Sequence, residues 1–289
     1  MREDNHTYQG RPLARPQDEL VDQGLGFDLG TVFTRRRALG LFGLGAAGAV
    51  LAACAPAATT ASTSGSASPS ATGGAPGEIP EETAGPYPGD GSNGPDVLAQ
   101  SGIVRQDIRT SFGTGGATAA GVPLVLELTL LDLAKGGSPF QGAAVYVWQC
   151  DAQGRYSLYS SGVENENYLR GVQVADAGGR VRFTSVFPAC YPGRWPHVHF
   201  EVYPDERAIT DVATVLATSQ LALPQNTSEA VYAQPGYPGS TANLARLSLD
   251  RDSVFRDDGG ASQLAAVTGD LTGYTAALRI AVDTRTPPR

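Results

Sequence analysis

Leu124, Leu126, Leu128 and Leu130 alternate with Val125, Glu127 and Thr129. Alternation at period two marks a strand with one face in a core and the other toward solvent. A helix would scatter the same side chains around its axis. Val145–Gln149, Arg180–Val186, Pro196–Tyr203, Leu216–Leu223 and Leu278–Val282 read as further strands. Turn clusters such as Lys135-Gly136-Gly137-Ser138-Pro139 and Asp176-Ala177-Gly178-Gly179 divide them. Helical turns are expected only within Leu244–Leu249 and Ser262–Val267. Composition agrees: 36 Gly and 20 Pro in 289 residues favour turns and oppose a helical bundle. The expected fold is all-β, an antiparallel β-sandwich with few short helices.

Acidic side chains outnumber basic ones, 29 to 21, for a formal net charge of −8. Such a surface does not favour nucleic acid or an anionic membrane as a partner. Residues 1–53 read as an export leader, because Arg35-Arg36-Arg37 precede the apolar Ala38–Ala53. That stretch is short for a membrane span. The arginines resemble a twin-arginine signal. Leu51-Ala52-Ala53-Cys54 resembles a lipobox, which implies acylation at Cys54 and a lipid anchor on the outer face of the cell membrane. Residues 54–78, almost all Ala, Ser, Thr, Gly and Pro, read as a flexible tether. Residues 79–289 remain as one folded domain. Asn226-Thr227-Ser228 matches a glycosylation triplet, but a bacterial type of leader argues against its use.

The chemistry concentrates at Pro196-His197-Val198-His199-Phe200. On a strand, His197 and His199 project from one face while Val198 and Phe200 point into a core. Two imidazoles on one face can share a metal ion. The bland reading is a pair of hydrogen-bonded surface histidines on an edge strand. The turn before this strand carries Cys190, Tyr191 and Arg194, with Tyr191 close enough in sequence for its phenol to fold back toward the imidazoles. A second turn, from Trp148-Gln149-Cys150-Asp151 to Gly154-Arg155-Tyr156, offers another phenol. Cys150 and Cys190 sit one on each turn, either paired, as two cysteines outside the cytoplasm can be, or as buried free thiols. Tyr232, Tyr237 and Tyr274 read as packing residues.

These segments resemble the intradiol ring-cleavage dioxygenases, the family of protocatechuate 3,4-, catechol 1,2- and hydroxyquinol 1,2-dioxygenases. A V-x-V-W-Q strand ending in G-R-Y is matched by Val145–Gln149 and Gly154-Arg155-Tyr156. A P-x-x-Y…R-x-x-H-x-H motif is matched by Pro188, Tyr191, Arg194, His197 and His199. Thr83-Ala84-Gly85-Pro86-Tyr87 is similar to the family's T-x-G-P-Y substrate segment, and Ser219-Gln220-Leu221 to its glutamine strand.

The resemblance implies one non-haem Fe(III) held by Tyr156, Tyr191, His197 and His199, and ring cleavage of a catechol-type aromatic by O2 to a cis,cis-muconate type product. Tyr191 would also take a substrate proton. Arg194 would stabilise charge developing on the ring and Gln220 would position it. Gly85, Pro86, Tyr87 and Trp148 would line the substrate pocket. The loop from Tyr191 to His197 is shorter than in the protocatechuate enzymes, and Gly193 stands where a pocket tryptophan is common there, which implies a more open pocket. No helical N-terminal segment of the kind through which catechol dioxygenases dimerise is present, so a monomer is expected, with Tyr87 supplying a pocket wall in cis. Competing readings are a tethered sandwich that binds aromatics or sugars without turnover, and a Zn or Cu hydrolase or oxidase. Two phenols beside two imidazoles fit iron better than either metal.

Overall fold

The computed structural model describes residues 77–286 and a minimal strand pair, Thr7–Tyr8 against Arg11–Pro12. The arginine run, the apolar stretch after it, Cys54 and the tether up to residue 76 lie outside the described residues. In the domain the strands are, in chain order, β1 (Pro123–Asp132), β2 (Ser138–Pro139), β3 (Ala144–Trp148), β4 (Arg170–Val174) and β5 (Arg180–Val186). They continue with β6 (His197–Tyr203), β7 (Ala217–Ala222), β8 (Ala266–Asp270) and β9 (Gly273–Val282). Helices α1 (Gln225–Tyr232) and α2 (Ser240–Leu244) interrupt the run between β7 and β8.

The strands form two sheets. In the first, β8 pairs with β9 and β9 with β1, while β5 and the short β2 share the other edge of β1. The second runs β4-β3-β6-β7, antiparallel throughout. The leucines of β1 face inward as their spacing requires, and Phe183 and Val181 of β5 lie opposite Leu126 and Leu128. On the second sheet, Val198, Phe200 and Val202 share a face with Val145 and Val147 and close the core. Among the described residues no helix is long and apolar enough to cross a membrane.

The sandwich is as expected, with specific differences. The pairing of β9 with β1 is parallel, which brings the first and last long strands of the domain side by side. Strand β4 escaped the period-two reading because Arg170 and Gly171 break its apolar pattern. The helix expected within Ser262–Val267 is instead a turn leading into β8. Helical structure near Leu244–Leu249 lies slightly earlier, in α2, followed by a 3-10 turn at Leu249–Arg251. Helix α1 opens on three polar residues, Gln225-Asn226-Thr227, and gave no apolar stripe to read.

What positions the site is the second sheet's other face. Strand β6 is buried along its whole length, so a second layer must cover the side bearing His197 and His199. The cover is the segment from Ile79 to Leu98, which crosses the sheet as a strap. Its Glu82 N–H donates to Thr218 O at 2.8 Å, and Pro88 O accepts from the Tyr146 hydroxyl at 2.6 Å.

Candidate active site

Strand β6 delivers His197 and His199 to one spot, with their Nε2 atoms 3.0 Å apart and both rings buried. The Tyr191 hydroxyl lies 3.1 Å from His197 Nε2, and the Tyr156 hydroxyl 3.3 Å from His199 Nε2. The two hydroxyls are 3.4 Å from each other. Four donor atoms therefore close a ring. Ligands about 2.1 Å from a common centre stand roughly 3.0–3.4 Å apart, for right-angled to tetrahedral arrangements. The four spacings match that condition.

The protonation states suit a metal. Burial, then the Arg194 charge, pushes His197 down to about 3. Burial, then His197 and the charges of Arg194 and Arg170, holds His199 well below the usual imidazole range. Both rings are thus neutral near pH 7. The His197 Nδ1–H donates to Trp195 O, so its Nε2 lone pair faces the other donors. Burial raises both phenols, Tyr156 and Tyr191, well above ordinary values. A cation at their oxygens would reverse that and draw the protons off. Among the described residues no three His, Cys, Asp or Glu side chains gather as a metal cage, so the phenols are needed to complete the donor set. Hard phenol oxygens and neutral imidazoles suit a hard, highly charged ion.

Each phenol is fixed by its turn. The Asp151 carboxylate accepts from the N–H groups of Gln153 and Arg155, from the Arg155 guanidinium and from the Tyr168 hydroxyl, which folds residues 151–155 tightly before Tyr156. Gly154 has φ +84°, a backbone state that glycine adopts without strain. The Tyr191 turn is held by Tyr232 and Tyr237, whose hydroxyls donate to Pro188 O and Phe187 O at 3.0 Å each. These two tyrosines pack, as expected, and so does buried Tyr274.

Arg194 also meets the donor set, since its charge acts on both histidines and both phenols. Its Nη2 donates to Gln220 Oε1 at 2.6 Å, and Gln220 Nε2 donates to Thr83 O at 3.0 Å. Asp252, fully buried, receives Arg194 Nε at 3.1 Å and the Trp195 N–H at 2.7 Å. Burial, the largest influence, would lower the arginine's pKa, but Asp252 together with the oxygens of Tyr191 and Tyr156 outweighs it and holds Arg194 above its ordinary range. From the strap, Gly85 comes so close that a Cβ there would meet His199 Cε1 at 3.3 Å. The Tyr87 ring packs 5.0 Å from that of Tyr156, and Pro86 is half-buried beside it.

Trp148 is fully buried and stacks flat against His199, rings 4.8 Å apart and 9° from parallel, so it backs a histidine. Cys150 and Cys190 are free, buried thiols. Each sulfur turns to its own carbonyl, Ala189 O and Arg194 O, and burial raises both thiols above their ordinary values. Asp151, Arg170 and Asp252 build the site and were not foreseen. Asp151 had a signal, an Asp-Ala-Gln-Gly turn ahead of the phenol, whereas the other two have none in their local sequence.

A dioxygenase family model matches residues 93–201, which takes in both phenols and both histidines. A curated relative, the protocatechuate 3,4-dioxygenase beta chain of Burkholderia cepacia, is 31% identical over 105 residues, covering 32% of this chain and 45% of the relative. The match thus spans less than half the length of that relative. In fold, the chain is similar to a solved intradiol ring-cleavage dioxygenase from Tetranychus urticae. The TM-score is 0.58 at 24% identity, over 73% of this chain and 97% of the other.

Proposed function

The chain belongs to the intradiol ring-cleavage dioxygenase family, and from that premise we propose that it cleaves a catechol-type aromatic ring between the two hydroxyl-bearing carbons with O2. One Fe(III), held by Tyr156, Tyr191, His197 and His199, would act as a Lewis acid and template that makes the bound ring reactive toward O2. The observation that carries the reading is the closed ring of four donor atoms at 3.0–3.4 Å.

The chain's own residues do the rest. Tyr191, more exposed than Tyr156, would be the group placed to accept a proton from an entering catechol hydroxyl once a bound cation has drawn off its own. Arg194 keeps its charge because Asp252 supports it, and it would stabilise negative charge spreading onto the ring. Gln220 ties Arg194 to the strap and keeps the guanidinium from swinging away. The strap, with Gly85 against His199 and Tyr87 against Tyr156, excludes water from the donors' flank.

Oxygen uptake with catechol, hydroxyquinol and protocatechuate, together with metal analysis and a visible spectrum, tests this. One iron per chain, a reddish phenolate-to-Fe(III) band and uptake with at least one substrate are expected. A colourless, iron-free protein that binds aromatics without consuming O2 would replace the enzyme with a binding module. We further propose export by the leader, a lipid anchor at Cys54 and a monomeric state. Intact-mass analysis of the membrane fraction and light scattering of the detergent-solubilised chain check these points.

A further inference from the structure

Arg170, on β4, is fully buried, and every N–H of its guanidinium is used. Nε donates to Ser157 Oγ at 3.0 Å. Nη1 donates to Pro88 O at 2.7 Å and to the Tyr146 hydroxyl at 3.0 Å. Nη2 donates to Tyr87 O and to Ser157 O, both at 2.9 Å. All of these acceptors are neutral. Burying a permanent charge without an anion is expensive unless geometry is near ideal, so the arrangement is not accidental packing.

The acceptors belong to three separate parts of the site. Tyr87 and Pro88 lie on the strap, directly after Gly85 and Pro86. Ser157 follows Tyr156 on its turn. Tyr146 stacks on Trp148, rings 5.0 Å apart, and Trp148 stacks on His199. A rigid planar fork thus fixes strap, phenol turn and histidine platform relative to one another. A lysine, with one compact ammonium, cannot span the same oxygens. The strap is also shaped to admit the arginine. Gly89 has φ +68°, and a Cβ there would sit 2.9 Å from Arg170 Nη1.

We propose that Arg170 is the positioning residue that sets the slot between the strap and the four donors, and thereby how firmly a substrate ring is gripped. The proposal rests on the dioxygenase reading for its substrate. Its mechanical part, the coupling of strap to phenol turn, stands on geometry alone.

The test compares the intact wild-type chain with Arg170→Lys and Gly89→Ala. In the iron-loaded protein both variants should raise KM for catechol about tenfold while kcat stays within about threefold. The phenolate-to-Fe(III) band should shift as Tyr156 reorients. In the metal-free protein, amide exchange should quicken at residues 83–90 and 156–160 together. A lower melting temperature with unchanged KM and band would reduce Arg170 to a structural residue and overturn the proposal. Should Arg170→Lys fail to fold, Gly89→Ala decides, because it keeps the arginine and displaces only the strap. Should the wild type consume no O2, the dioxygenase reading falls, and exchange then decides alone. Coupled loosening of both segments supports the positioning role, and loosening of neither overturns it.

Discussion

Arg194 owes its orientation to Asp252, which also accepts the N–H groups of Trp195, Val254 and Phe255. Asp252→Asn keeps an oxygen for the Val254 and Phe255 N–H groups but puts an amide NH2 in place of the oxygen that receives Arg194 Nε and the Trp195 N–H, and removes the charge facing the guanidinium. We expect kcat for catechol to fall by about tenfold to a hundredfold with KM little changed, since the lost contact acts on developing charge. Saturation kinetics by oxygen uptake check this, and an unaltered kcat would show that Gln220 alone suffices to hold Arg194. The two thiols give a second prediction. Denatured without reductant, residues 77–289 should take up alkylating reagent at both Cys150 and Cys190, and in the native state at neither. Any disulfide-linked peptide in the digest would contradict the free thiols. The histidines were legible because a scarce residue type recurs at a two-residue offset on one strand, and the phenols and Arg194 through the family likeness of their turns. Their supports were not, because Arg170 and Asp252 act on partners dozens of positions away and look locally like solvated charges.

At the scale of elements, β6 was legible to its end and β4 was not. Along β6, alternation places Val198, Phe200 and Val202 on one face and His197, His199, Glu201 and Tyr203 on the other. Because both faces are covered, Glu201 is buried too, and it accepts from the Tyr203 hydroxyl at 2.8 Å. Burial, and then the neighbouring Asp90 carboxylate, pushes it up to about 8. A carboxyl raised above its ordinary 4.5 is protonated in the folded state where the unfolded chain has already lost its proton. Its contribution is therefore complete below that ordinary value and disappears as pH rises through about 8. The metal-free protein should lose stability at up to about 1.4 kcal/mol per pH unit on the way. Glu201→Gln, which keeps the volume and an acceptor for Tyr203, should flatten that slope. Urea unfolding measured upward from about pH 6.5, clear of the histidines, makes the comparison. Parallel curves for the two proteins would show that Glu201 is not the group responsible.

In the whole molecule the strap closes the architecture. It starts beside the end of β9, where the Ile79 N–H donates to Ala281 O at 2.8 Å, and crosses to the second sheet at Thr218. The parallel pairing of β1 with β9 completes the first sheet without it, and β4-β3-β6-β7 pair among themselves. The strap is therefore a cover added to two finished sheets, and it carries Gly85 and Tyr87 to the donors. A chain beginning at residue 77 should melt like the longer one and keep its activity. A chain beginning at residue 92 should still fold but lose the burial of Ile79 and Tyr87, worth about 1.5–3 kcal/mol each. For a domain of this size that lowers the melting temperature by on the order of 10 °C. Arg170 would then face water in place of Tyr87 O and Pro88 O, and the Tyr156 turn, still held to Arg170 through Ser157, would lose its tie to the strap. Turnover should drop far more than stability does, with the visible band broadened. Calorimetry and oxygen uptake on the two truncations separate the cases. Full activity in the shorter chain would mean that the four donors and Arg194 form a working site with no cover at all.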